Sequence, residues 1–126
     1  MNSAQFAQLL ESTYKNMIDL SSTKGEEYAG SEDRLANFKR LGGTLNLIPE
    51  AVLMVYFTKH LDSITTFIKD IGALKPRQLS EPIEGRIDDA ILYLILLKGL
   101  IQERVGIPEK VDEIIDPRQL SMRLNE

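Results

Sequence analysis

Glu81, Glu84 and Asp88 lie three and four residues apart, so an α-helix through them stacks the three carboxylates on one stripe. Like charges so arranged repel, and a divalent cation is the compensation that would turn the stripe into a site. Glu81 and Glu84 also suit the first turn of a helix, where the macrodipole favours acids, so capping accounts for that pair equally well. Asp88 falls past the first turn and just before the apolar run Ala90 to Leu97, where an unpaired carboxylate is costly. Asp89 has Arg86 at i,i+3 as an ordinary partner.

A second group gathers Lys24, Glu26, Glu27 and Tyr28, with Asp33, Arg34, Asn37 and Lys39 close behind. A charge run is usually a solvated face. Its functional reading is that acids here complete a metal shell while Lys24, Arg34 or Lys39 meets phosphate oxygens, arginine being suited to bidentate contact. A third group, Lys59, His60 and Asp62, interrupts an apolar pattern. His60 follows Tyr56 by four and precedes Ile64 by four, which turns it inward, and an inward histidine is more often a hydrogen-bonded core residue than a ligand. Tyr28 and Phe38 are aromatic candidates for contact with a ligand. No Walker loop, dinucleotide glycine motif, GxSxG elbow or HExxH helix occurs.

Composition narrows the chemistry. The chain has 126 residues, enough for one domain, 1–126, with one core. It contains no cysteine, so a metal would need oxygen ligands or the single histidine, which favours a hard cation such as magnesium. A formal charge of −4 offers no general attraction to a polyphosphate backbone, and long nucleic acid is not expected as a partner. The N-terminal residues lack the pattern of a secretory signal, and Ala90 to Leu97 is far short of the roughly 20 residues that span a bilayer. A soluble, cytoplasmic protein is the expectation.

The elements that must position these groups are helices. Phe6, Leu9, Leu10, Met17 and Ile18 follow one helix face, predicting a helix from about Ala4 to Leu20 capped by Asn2 or Ser3. SSTKGEEYAGS reads as a loop, after which Ser31 caps a second helix that Gly42 and Gly43 end. Pro49 opens a third helix to about Lys69, with Val52, Leu53, Tyr56, Phe57, Leu61, Ile64, Phe67 and Ile68 as its apolar face. Gly72 and Pro76 lie in the linker, and a fourth helix runs from about Glu81 to Val105. That helix is apolar on nearly every face over Ala90 to Leu97, which predicts a place at the centre of a bundle or across an interface between copies. A short helical tail around Val111 to Leu124 completes an all-α bundle expected to be oligomeric.

The segments KGEEYAGSEDRLANFKR, YFTKHLDSI and EPIEGRIDDAILYLILL resemble a group of small phage and prophage proteins and cover about a third of the chain. More distantly, the last segment resembles the all-α nucleoside triphosphate pyrophosphohydrolases, which include the MazG-like enzymes and the dimeric dUTPases. The resemblance implies a helical fold, magnesium held by ExxE and ExxD patterns, and cleavage between the α and β phosphates. Asp89 followed by Tyr93 looks like the end of ExxD, but Arg86 stands where the first acid belongs, and no clean EExxE occurs on the third helix.

The expectation is therefore a protein that handles a nucleotide or nucleotide-like phosphate compound, with metal-dependent hydrolysis of a nucleoside triphosphate to the monophosphate and pyrophosphate as the leading mechanism. In its catalytic form, Glu27, Glu84, Asp88 and Asp89 hold one or two magnesium ions that polarise the phosphate and activate a water, with Glu27 and Asp88 central to catalysis. Lys24, Arg34, Lys59 and Arg86 supply charge to the phosphates, with Tyr28, Asn37 and His60 as further ligand contacts. The alternative is a non-catalytic protein that sequesters a nucleotide-derived signal such as a host anti-phage defence messenger. A third reading is a structural protein or adaptor in which the fourth helix serves only association.

Overall fold

The computed structural model describes residues 1–28, 33–75 and 82–106, with side chains described from 1–22, 33–75 and 82–106. It contains four helices: α1 (Ser3–Tyr28), α2 (Ala36–Leu45), α3 (Pro49–Gly72) and α4 (Ile83–Val105), with no strand among the described residues. Ser31, Glu81 and the expected helical tail lie outside the described residues.

The start of α1 is set by a reciprocal pair of hydrogen bonds. The Gln5 N–H donates to Asn2 Oδ1 at 2.9 Å, and the Asn2 N–H donates to Gln5 Oε1 at 2.8 Å. Two amide donors that the helix leaves free are thereby satisfied. The helix then runs eight residues past the expected end at Leu20, through the segment read as a loop. One glycine inside a helix costs only about 1 kcal/mol, and Lys24, Glu26 and Glu27 around Gly25 are good helix formers. Contact between α1 and α4, with Met17 buried and Leu20 and Ser21 partly so, anchors the helix just before that stretch.

Asp33, two residues beyond Ser31, supplies the side-chain contact at the start of α2. Its Oδ1 accepts from the Leu35 N–H at 2.9 Å, and its Oδ2 takes the Lys39 ammonium at 2.8 Å. The Lys39 hydrogen bond, ahead of the one from Leu35, holds the Asp33 carboxyl below the ordinary carboxylate range. Gly42 and Gly43 do not end α2, as composition suggested, but lie inside it. The stop comes at Asn46, whose left-handed backbone (φ 56°) is one that asparagine adopts readily. The Leu47 N–H then returns to the Gly42 carbonyl at 2.9 Å. Across this turn the chain bends by 105° into α3, which Pro49 opens as expected.

The core sits where α2, α3 and α4 meet, built on Leu35, Phe38, Val52, Leu53 and Leu100, with Tyr56, Phe57, Tyr93, Leu96 and Leu97 packed against it. On α3 the broad apolar face expected from sequence divides: Val52 and Leu53 are buried, whereas Leu61 and Ile68 are exposed. Two ion-paired ties close the bundle. Arg104 near the end of α4 grips Glu50 at the start of α3 through both carboxylate oxygens, at 2.7 and 2.9 Å. Lys39 bridges Asp33 to Glu103 of α4, 2.9 Å away. No single helix among the described residues is long and apolar enough to cross a bilayer; α2 and α3 reach that length and hydropathy only when counted together across their bend.

Candidate functional site

The face shared by α3 and α4 brings together three of the expected ligand contacts, Lys59, His60 and Arg86, with two tyrosines. Four residues along α3 bring Tyr56 and His60 to the same side, and Tyr93 of α4 meets both. The Tyr56 and Tyr93 rings stack with centroids 6.4 Å apart and planes 14° from parallel. The His60 ring lies 4.9 Å from that of Tyr93, so the histidine does turn inward. Lys59, exposed beside them, places its ammonium 5.8 Å from the Tyr56 ring centroid, within cation–π range. Tyr56, His60 and Tyr93 each keep partial exposure.

Phe38, a suggested ligand contact, is instead buried and meets Tyr56 and Tyr93 edge-on, each at 6.2 Å. It supports the tyrosine pair from beneath. Arg86 reaches from α4 to donate to the Ser63 hydroxyl on α3, a contact across 23 residues of sequence that no local pattern discloses. Sequence reasoning missed Tyr56 and Tyr93 as ligand contacts, and it missed Ser63. The only signal of Ser63 is its place three residues after His60, on the same side of the helix.

Of the acids expected to share one stripe of α4, Glu81 lies outside the described residues. Glu84 is exposed, Asp88 half-buried and Asp89 buried. Burial pushes the Asp88 carboxyl above the ordinary range, and repulsion from Asp89 and then Glu84 adds to it. Ionisation of Asp88 therefore costs more in the folded chain than in the unfolded one. Its stability contribution is most favourable at low pH and is lost as pH rises from the unfolded value through the raised folded one. Asp88→Asn is therefore expected to stabilise the fold near neutral pH by about 0.2–0.5 kcal/mol, the scale of a like-charge pair one turn apart. The gain should vanish as pH falls below 3.8, the ordinary value for Asp. Urea midpoints of parent and variant at two pH values measure this, and a variant less stable near neutral pH would show that Asp88 is not a strained carboxylate.

The remaining candidates lie elsewhere. Arg34 donates to the Ser21 carbonyl and, at 2.9 Å, to its hydroxyl, tying the start of α2 to α1. Asn37 receives a long 3.5 Å hydrogen bond from Arg40. Lys24, Glu27 and Tyr28 occupy the last turns of α1, but their side chains lie outside the described residues. Among the described residues, no three acidic or histidine side chains form a group placed to hold a metal ion. Glu84, Asp88 and Asp89 do not fit a metal by themselves, and the side chain of Glu27, the fourth ligand expected from sequence, lies outside the described residues.

Comparison with protein-family models, with curated proteins and with solved structures gives no match for this chain.

Proposed function

We propose that this protein binds a nucleotide or nucleotide-like phosphate compound on the α3–α4 face. The observation that carries this reading is the meeting of the Tyr56–Tyr93 stack with two cations on one face: Lys59 over the Tyr56 ring, and Arg86 held across the interface by Ser63. Aromatic surface takes a base, and an arginine with a lysine takes phosphate oxygens. His60, half-exposed against Tyr93, adds a hydrogen-bonding group. Sequestration of an intact ligand needs only this ground-state complementarity.

Hydrolysis of a nucleoside triphosphate to monophosphate and pyrophosphate is the second reading. The Asp88 carboxyl, held above the ordinary range by burial and then by Asp89 and Glu84, favours it, because a cation there would offset part of the cost of its charge. One set of measurements separates the two. The protein is incubated with a panel of nucleoside triphosphates, with magnesium or with EDTA, and both retained ligand and products are analysed. Sequestration predicts stoichiometric, intact nucleotide with an affinity indifferent to EDTA. Hydrolysis predicts pyrophosphate that appears only with magnesium. Lys59→Ala, at an exposed position, should weaken retention about tenfold, the loss of roughly 1.4 kcal/mol of charge-assisted contact. A panel that yields neither retention nor product would overturn both readings and leave the structural adaptor.

A further inference from the structure

The stripe of α1 that packs in its second half is bare in its first. At 100° per residue, Phe6, Leu9, Leu10, Thr13, Met17 and Leu20 fall on one seam. Met17 is buried and Thr13 and Leu20 partly so, whereas Phe6, Leu9 and Leu10 are 53%, 47% and 57% exposed. Every residue from Ser3 to Ser12 is exposed, so among the described residues no element lies beneath the apolar seam of the first half of α1. A stretch of that length is marginal as a helix in water even with a good N-cap, and its stability calls for packing.

A second bare stripe lies on α4. Ile87, Ile91, Leu94 and Ile95 share the side of the helix turned away from Tyr93, Leu96 and Leu100; Ile87, Leu94 and Ile95 are 40–50% exposed. The full apolar circumference of α4 is therefore only partly covered within one chain. α4 is also the helix on which α1 packs in its own chain, so its surface already accepts the continuation of the same seam.

We propose that α1 of one copy lays Phe6, Leu9 and Leu10 on the Ile87–Ile95 stripe of a second copy, the two copies exchanging these contacts about a two-fold axis. The area supports a copy of this chain as the occupant. Phe6, Leu9, Leu10, Ile87, Leu94 and Ile95 are between 40% and 57% exposed. At roughly 180 Å² for a fully exposed large side chain they offer about 500 Å² per copy, or about 1,000 Å² over the two copies, the size that a specific interface has to reach. Donor seam and acceptor stripe belong to the same chain, which is the condition for a closed, symmetric dimer. A need for cover that exists whenever the chain folds is met by the one partner always present at equal concentration.

The test uses the full chain. Light scattering at micromolar concentration should give twice the 14.2 kDa chain mass. Phe6→Glu with Leu10→Glu should reduce that to the monomer mass. Because the chain has no cysteine, single-cysteine variants report contacts cleanly. Phe6→Cys mixed with Leu94→Cys should yield a mixed dimer with a bifunctional thiol cross-linker. A monomeric parent overturns the proposal, as does a dimer that survives both glutamates. If the glutamate variant loses helicity, the cross-link decides, and its absence overturns the seating of α1 on α4.

Discussion

Leu53→Ala is expected to cost about 2–5 kcal/mol, the range for emptying a fully enclosed leucine site. Leu53 is the one large side chain among the described residues with no exposure at all, and it lies where α2, α3 and α4 converge. Its neighbours Leu35, Phe38, Val52 and Leu100 come from three helices, whose backbones cannot all close on the space left by three lost carbon atoms. A domain of this size has total stability on the order of 5–15 kcal/mol, so the loss is a large fraction of the whole. The effect also reaches the proposed site. Leu53 stands one turn before Tyr56 and two before His60, and it shares the core with Phe38, which props both tyrosines. The urea midpoint at fixed protein concentration should fall well below that of the parent, and any nucleotide retention should weaken with it. A cost under 1 kcal/mol would mean that the three helices do not meet at this residue.

How much of this was legible beforehand depends on whether the signal was local. Pro49 opening α3 and the extent of α4 follow from hydrophobic period and terminal residues alone, and both stand within a few residues of expectation. Asn2 was also readable as a cap, because its Gln5 partner is three residues away. α1 continues beyond Leu20 because Ser, Thr and Gly in SSTKGEEYAGS are turn formers only on average, while packing on α4 fixes the preceding turns. Ser31, the expected cap of α2, lies outside the described residues; among those described, Asp33 makes the side-chain contact at the start of the helix. In the site, His60 facing inward came from spacing. The Arg86 to Ser63 bond and the Tyr56–Tyr93 stack did not, since both join α3 to α4 across a packing angle that neither helix encodes by itself. The two bare stripes were legible only as composition: the sequence implies that α4 is apolar all round, but not which side stays uncovered.

The adjacent glycines of α2 should respond to the same substitution with opposite signs. A Cβ built on Gly42 would stand 2.6 Å from the Leu47 carbonyl oxygen and 3.4 Å from the Pro49 nitrogen. Both are backbone atoms of the bend, so no side chain can swing aside to make room. Gly42 is also the acceptor for the Leu47 N–H that closes the turn, and relieving the clash by moving the turn strains that 2.9 Å bond. Gly42→Ala is thus expected to cost about 1–3 kcal/mol, the scale of overpacking, despite the better helix propensity of alanine. At Gly43 nothing lies within 4 Å of the added carbon, and the residue sits inside the same helix. There only the propensity acts, so Gly43→Ala should stabilise by up to about 1 kcal/mol. Thermal midpoints of the two variants, measured side by side, should move in opposite directions from the parent. A Gly42→Ala variant as stable as Gly43→Ala would show that the 105° bend into α3 does not press on Gly42, and the close approach that holds Phe38 over Tyr56 would have to come from elsewhere.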